Sequence, residues 1–188
     1  MDLVNMPIKL TDMGDAQSKL GYAQNWDDFT LCEAFAQHFD NTVGNVGPIY
    51  VVNVLDPDVH KDAEKTTKTL TFKNNRTEFE SSDIILDTFA IADKAEYVDY
   101  SLSYNFTKGT VVVQLLKDLE TDSLECTYNT VDTSAVESDD IIGQETADGQ
   151  YTGLHAMSLL YQYHNAVLNI LAAPGWSHIP EVYKAMVS

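Results

Sequence analysis

Five short segments of alternating polar and apolar residues follow one another in the middle of the chain. Alternation with a period of two places successive side chains on opposite faces of a strand, so each segment predicts a half-buried β-strand. Asn74-Asn75 and Lys108-Gly109 lie between them and are typical of tight turns. Short strands at this spacing, without intervening helices, favour a small sandwich or barrel over βαβ units. The predicted strands are residues 67–72, 84–90, 97–104, 110–115 and 123–129.

The residues before this region have a helical pattern. Asp12 or Asp15 is placed to cap a short helix, and Gly21 follows where a helix C-terminus favours a positive φ. The apolar run at residues 49–54 is rich in β-branched side chains and predicts a buried strand. A second helix is predicted between these features from five residues at helical spacing, Leu31, Ala34, Phe35, His38 and Phe39, with Asp27 or Asp28 as its cap.

The residues after the strand-rich region mix both patterns again. Thr152-Gly153 begins a predicted helix that extends to His164, and residues 167–173 predict a second buried strand. Pro174-Gly175 predicts a turn, and Pro180 suits the first turn of a last helix because its missing N–H is not needed there.

These patterns predict a discontinuous α/β (α+β) domain of residues 1–54 plus 136–188. An all-β domain of residues 55–135, a small sandwich or barrel, is inserted into it. Helix–strand pairs in both flanks have the size that crossover connections need, so the strands of the first domain are expected to be parallel.

The chain carries 11 basic and 29 acidic residues, a net charge of −18. A pI of about 4.3 makes nucleic acid an unfavourable partner, because the surface repels phosphate. With 44% hydrophobic residues the chain can form a core, but no apolar run approaches the length of a membrane span or a secretory signal. Two cysteines, Cys32 and Cys126, predict no disulfide framework.

The sequence holds no motif for nucleophilic, phosphate-binding or metal chemistry, which favours a structural or binding role without enzymatic activity or cofactor. Two alternatives stay open. One is a carbohydrate-binding or adhesin-type module that uses Trp26, Trp176 and the ten tyrosines as stacking surfaces. The other is a hydrolase that uses Asp139, Asp140 or Asp148 as paired carboxylates.

Three groups of short segments follow one another along the chain: residues 15–21, 31–41 and 44–54; residues 96–104, 108–113 and 124–128; and residues 140–149, 151–154 and 169–182. Taken in this order, the groups resemble the contractile tail sheath proteins of bacteriophages and related particles. The third is the most specific and is similar to the family pattern of Ile-Ile-Gly-Gly followed by Asp-Gly, Tyr-x-Gly-Leu and Ala-Pro-Gly-Tyr-Ser. The chain departs from the family at Asn53, where Arg is frequent, and at Gln144, where a second Gly is usual.

The resemblance implies a subunit that assembles with copies of itself around an inner tail tube and contracts to drive the tube through a target envelope. The implied partners are the tube protein and the baseplate, with no nucleic acid and no membrane anchor. The implied location is the virion tail, after assembly in the bacterial host cytoplasm. Relative to the family, the chain resembles an internal fragment without the C-terminal domain, and its inserted domain is expected to face outwards.

The residues predicted to contact neighbouring subunits lie in two turns near the end of the chain. Each turn presents glycine, and the second also presents an aromatic ring that is either exposed or tucked into the core. The predicted positions are Gly143, Asp148, Gly149, Pro174, Gly175 and Trp176.

Overall fold

The computed structural model describes residues 3–117 and 123–188, so part of the predicted inserted domain, residues 118–122, lies outside the described residues. The fold mixes helices with small antiparallel sheets. Contacts divide the chain into two compact units, one of Met1–Asp56 with Thr133–Ser188 and one of Pro57–Asp132. That the first unit is a discontinuous domain of the predicted α/β type stays a prediction.

The N-terminal part of the first unit packs two helices on a two-stranded sheet. The two strands pair antiparallel, with Ile8 opposite Val51. From residue 3 onwards, the parallel contact in this part is one isolated bridge between Val4 and Asn53, so the expectation of a parallel sheet is wrong here. The elements are β1 (Ile8–Leu10), α1 (Met13–Leu20), α2 (Thr30–Phe39) and β2 (Ile49–Val51).

Local signals explain the bounds of α1. The Asp12 carboxylate accepts a hydrogen bond from the Asp15 N–H at 2.8 Å and caps the helix. Gly21 ends it with a φ of 79°, as predicted. Lys19 lies 2.8 Å from Asp15 one turn along the helix, and its hydrogen bond lowers the pKa of the Asp15 carboxyl.

The second helix buries Cys32, Phe35, Ala36 and Phe39 against the sheet. It begins after Phe29 without a side-chain cap, so the predicted caps at Asp27 and Asp28 are wrong. Phe35 and Phe39 are buried as predicted, and Leu31 packs half-buried against the same cluster. The prediction is wrong for His38, which is exposed, and it missed the buried Cys32 and Ala36.

The C-terminal part of the first unit is made of short helices. The residues from Gly153 to Leu159 form a 3₁₀ helix that continues into an α-helix, so the predicted helix is present in two parts. Pro180 begins the last helix, as predicted. The elements are 3₁₀ turns at Thr133–Ala135 and Gly153–Leu159, then α3 (Ser138–Ile142), α4 (Leu160–His164) and α5 (Pro180–Val187).

The predicted strand at residues 167–173 is wrong. The structure assigns neither helix nor strand between α4 and α5. Val167 and Ile170 are exposed, and only Ala173 is buried. A run of β-branched and apolar residues forms a strand only when a neighbouring strand is available to pair with it. No described strand pairs with this segment.

The second unit contains two antiparallel sheets of three strands each. Their orders are β3-β8-β5 and β4-β7-β6, and they do not close into a barrel. Side chains of both sheets form one hydrophobic cluster, in which Tyr128 stacks on Phe79 and Phe89 with ring centroids 5.8 and 6.3 Å apart. The strands are β3 (Thr66–Thr71), β4 (Arg76–Glu80), β5 (Ile84–Ile91), β6 (Tyr100–Asn105), β7 (Thr110–Leu115) and β8 (Ser123–Thr130).

Turn residues place most of these strands where the sequence predicts them. Asn74 and Asn75 have φ values of 54° and 61°, which gives the predicted tight turn before β4. The predicted third strand begins three residues late, because Tyr97 adopts a φ of 64° in a turn that the Asp99 carboxylate holds through the Ala95 N–H.

Candidate assembly surface

Gly143 ends α3 and lies directly against the backbone of Thr152 and Gly153. Its φ is 68°, and its N–H donates to the Asp139 carbonyl at 2.8 Å. A Cβ on Gly143 would lie 1.9 Å from the backbone carbonyl oxygen of Thr152, and one on Gly153 would lie 2.5 Å from that of Asp140. The pair therefore allows two backbone segments to touch, which gives Gly143 a packing role inside the first unit.

The loop after α3 carries Asp148 and Gly149 at an exposed tip. Glu145 and Tyr151 form an antiparallel bridge, and the Gly149 N–H donates to the Thr146 carbonyl at 2.9 Å. The Glu145 carboxylate raises the pKa of Tyr151 through its charge. Apart from its two chain neighbours, no atom of the described residues lies within 4 Å of a Cβ built on Gly149, so this tip is open to a neighbouring molecule.

Pro174, Gly175 and Trp176 form the predicted turn. The Trp176 N–H donates to the Ala173 carbonyl at 3.0 Å. Gly175 has a φ of 75°, and a Cβ there would lie 2.5 Å from the Cγ2 atom of Thr30, the first residue of α2. Gly175 thus allows the turn to pass close to α2.

Trp176 is half-buried, between the two alternatives that the sequence left open. It lines an open groove of about 410 Å³ together with Glu137, Ser138 and Asp139. Both carboxylates of this groove are exposed. The groove lies in the first unit, at the N-terminal end of α3.

The carboxylates of the hydrolase alternative do not converge on one cleft. Asp140 accepts the Glu137 N–H at 2.8 Å and forms a capping box with it. Asp139 lines the groove, while Asp148 lies at the loop tip. Across residues 3–117 and 123–188, no group of three or more His, Cys, Asp or Glu side chains is placed to hold a metal ion.

The structure therefore does not gather the six predicted positions into one site. Trp176 and Gly143 lie at opposite ends of α3, and Gly175 packs on α2. Asp148, Gly149 and Gly175 are exposed, whereas Gly143, Pro174 and Trp176 are half-buried.

The sequence prediction missed a more accessible surface on α4 and the segment that follows it. Five large apolar side chains are exposed within ten residues. Two of them lie in α4, and three lie in the segment that was predicted to be a buried strand. We call these residues the uncharged surface: Tyr161 (66% exposed), Tyr163 (53%), Val167 (74%), Leu168 (43%) and Ile170 (87%).

A signal for this surface is present in the sequence. Residues 149–180 contain no Asp, Glu, Lys or Arg, although 21% of the whole chain is charged. Histidines are the only titratable side chains there besides tyrosine, and His164 is held by the Pro7 carbonyl at 2.8 Å and by contact with the Tyr50 ring. An uncharged stretch of this length in so acidic a chain indicates a surface whose contacts a charged side chain would weaken.

Comparisons with family models, with curated proteins and with solved structures find no significant match. Within the described part of the chain, no helix has both the length and the hydropathy needed to cross a bilayer.

Proposed function

We propose that the chain is a structural subunit of the contractile tail sheath type, which assembles with copies of itself and has no enzymatic activity. Its partners are then a tail tube protein and a baseplate, and its location is the virion tail after assembly in the host cytoplasm. Two observations support this proposal. One is the order of the segments that resemble the sheath family, and the other, which carries most weight, is the uncharged surface.

Exposure of the uncharged surface to water is unfavourable in free energy for a protein that remains a monomer. Burying apolar area releases about 25 cal/mol per Å². Contiguous exposed apolar patches larger than a few hundred Å² are rare on monomers and are typical of interaction sites. Since five apolar side chains lie close together along one segment, an assembling subunit accounts for them better than a solitary domain does.

The charge distribution is compatible with a particle that stays soluble. Pro57–Asp132 carries 15 acidic and 8 basic residues, a net charge of −7. In a sheath, an outward-facing acidic unit would keep assembled particles apart. The mechanical step would be a change between two packing arrangements of the subunits, with energy stored in their contacts and no nucleotide consumed.

Electron microscopy of the protein expressed from its complete reading frame tests the proposal. We expect long hollow tubes of regular width, either from this protein alone or after its tube protein is added as a template. Small uniform particles under both conditions would contradict the sheath function. Trp176→Ala in the same protein tests the predicted contact at the groove, and normal contractile tubes from this variant would remove Trp176 from the assembly surface.

A carbohydrate-binding module is a second candidate, favoured by the Tyr97 ring. This side chain is 78% exposed at the turn before β6, where its positive φ is unusual for a bulky residue. A glycan-array signal that is lost in Tyr97→Ala and retained in Tyr183→Ala would favour this candidate over the sheath. The second variant removes another exposed ring, 59% accessible, from α5.

A further inference from the structure

The uncharged surface differs from the rest of its unit in charge as well as in polarity. Met1–Asp56 and Thr133–Ser188 together carry 14 acidic and 3 basic residues, a net charge of −11. None of the 14 acidic residues lies between residues 149 and 180. Two copies of this chain therefore repel each other over most of their surface, and that repulsion is weakest where both present uncharged residues.

We propose that a second copy of this chain covers the uncharged surface and meets it with uncharged residues of its own. The proposal rests on the proposed function in one respect, namely that the chain assembles with itself. A basic partner would be attracted to the acidic faces and would gain nothing from this one. An anionic membrane would be repelled by the net charge, and the segment has no Lys or Arg to bind lipid headgroups.

The exposed area is of the size that a weak specific contact needs. A large apolar or aromatic side chain that is half to fully exposed presents on the order of 100 Å². Five such side chains would bury on the order of 500 Å² per copy, compared with about 800 Å² per partner in a standard interface. The contact is therefore expected to be reversible for isolated chains and to become strong only where many copies act together.

Sedimentation velocity over a micromolar to millimolar concentration series tests this contact directly on the chain. We expect reversible association that strengthens at least severalfold when NaCl is raised from about 0.1 M to about 1 M, because the Debye length falls from about 10 Å to about 3 Å and repulsion is screened. A contact between opposite charges would weaken under the same change.

The matched variants are Ile170→Asp and Val59→Asp. Both add one negative charge at an exposed apolar position, but Val59, which is 69% exposed, lies in the other unit. We expect Ile170→Asp to lower the association constant about tenfold or more, since it removes an aliphatic side chain that the contact would bury and places a charge there. Val59→Asp should change the association constant less than twofold. Ile170→Asn, which adds no charge, should still weaken association.

Three results would overturn the proposal: a chain that stays monomeric throughout the series, association that Ile170→Asp leaves unchanged, or equal weakening by both aspartate variants. Circular dichroism confirms that each variant is folded. The test is separable from that of the sheath function. Association through Ile170 without tubes from the complete reading frame would contradict the sheath and keep the contact, whereas tubes that Ile170→Asp does not affect would contradict the contact alone.

Discussion

Replacing Gly143 by alanine should destabilise the first unit by about 3–5 kcal/mol. A φ of 68° with a ψ of −166° is a backbone conformation that essentially only glycine adopts, and it costs a residue with a Cβ about 1–3 kcal/mol. The new Cβ would lie 1.9 Å from the Thr152 oxygen, where an ordinary contact is roughly 3.3 Å, so one segment must move by more than 1 Å. That movement breaks hydrogen bonds that hold the facing segment, each contributing about 1 kcal/mol. They run from the Thr152 N–H to the Gln144 carbonyl, from the Gln144 N–H to the Thr152 hydroxyl, and from the Gly153 N–H to the Asn5 side chain.

Gly149→Ala is the matched control. Gly149 has a φ of 76°, close to that of Gly143, but no atom lies within 4 Å of its Cβ position. Its substitution should therefore cost about 1–2 kcal/mol, the conformational part alone. The two tryptophans, Trp26 and Trp176, both lie in the first unit, so their fluorescence during urea unfolding measures the stability of that unit specifically.

The decisive quantity is the difference in unfolding free energy between the two variants. We expect Gly143→Ala to lie at least about 2 kcal/mol below Gly149→Ala, a large part of the 5–15 kcal/mol that stabilises a typical domain. Equal stabilities would refute the close backbone approach. Loss of assembly by a Gly143→Ala protein of unchanged stability would return Gly143 to the predicted contact surface.

Two further predictions concern other parts of the molecule. Gly175→Ala should lower the unfolding free energy of the first unit by more in the parent chain than in a Thr30→Ala background, because the new Cβ would lie 2.5 Å from the Thr30 methyl group. Equal losses of unfolding free energy in the two backgrounds of this double-mutant cycle would contradict the contact. Burial raises the pKa of the Cys32 and Cys126 thiols, so in the folded chain each should react with a disulfide reagent at least about tenfold more slowly than free cysteine does. Because the two cysteines lie in different units, mass spectrometry of the labelled chain along a urea series reports the two unfolding transitions separately. Fast labelling without urea would contradict their burial.

The parts of the fold that follow from local chemistry could be predicted from the sequence. Asp12 and Gly21 define α1 because a carboxylate and a residue with free φ meet local requirements at helix ends. The Asn74-Asn75 turn likewise needs only two residues that tolerate positive φ. Strand β4 was missed because Glu78, which pairs with Lys108 at 3.4 Å, makes its outer face as charged as a loop.

The parts that depend on distant partners could not be predicted. Residues 167–173 have the composition of a buried strand, but a strand needs a neighbour, and the described sheets offer none to this segment. The packing roles of Gly143 and Gly175 are invisible for the same reason: their contacts are with Thr152 and Thr30, and no local pattern predicts these close approaches. Hydrophobic pattern alone does not distinguish a strand that is buried within one chain from a surface that is buried only between chains.

This ambiguity decides which variants can test assembly. Substitution of Gly143 or Gly175 is expected to disturb folding, so lost assembly in those variants would not identify a contact surface. Ile170 is 87% exposed, and its substitution leaves the interior of the first unit intact. The segment around Ile170 is both apolar and free of charge, in a chain of net charge −18. The free energy cost of exposing apolar side chains and the repulsion between acidic copies therefore both favour contact with another uncharged surface. Weaker association of an Ile170 variant whose unfolding free energy is unchanged would therefore assign the segment to an interface. The sequence alone does not distinguish such an interface segment from a core strand.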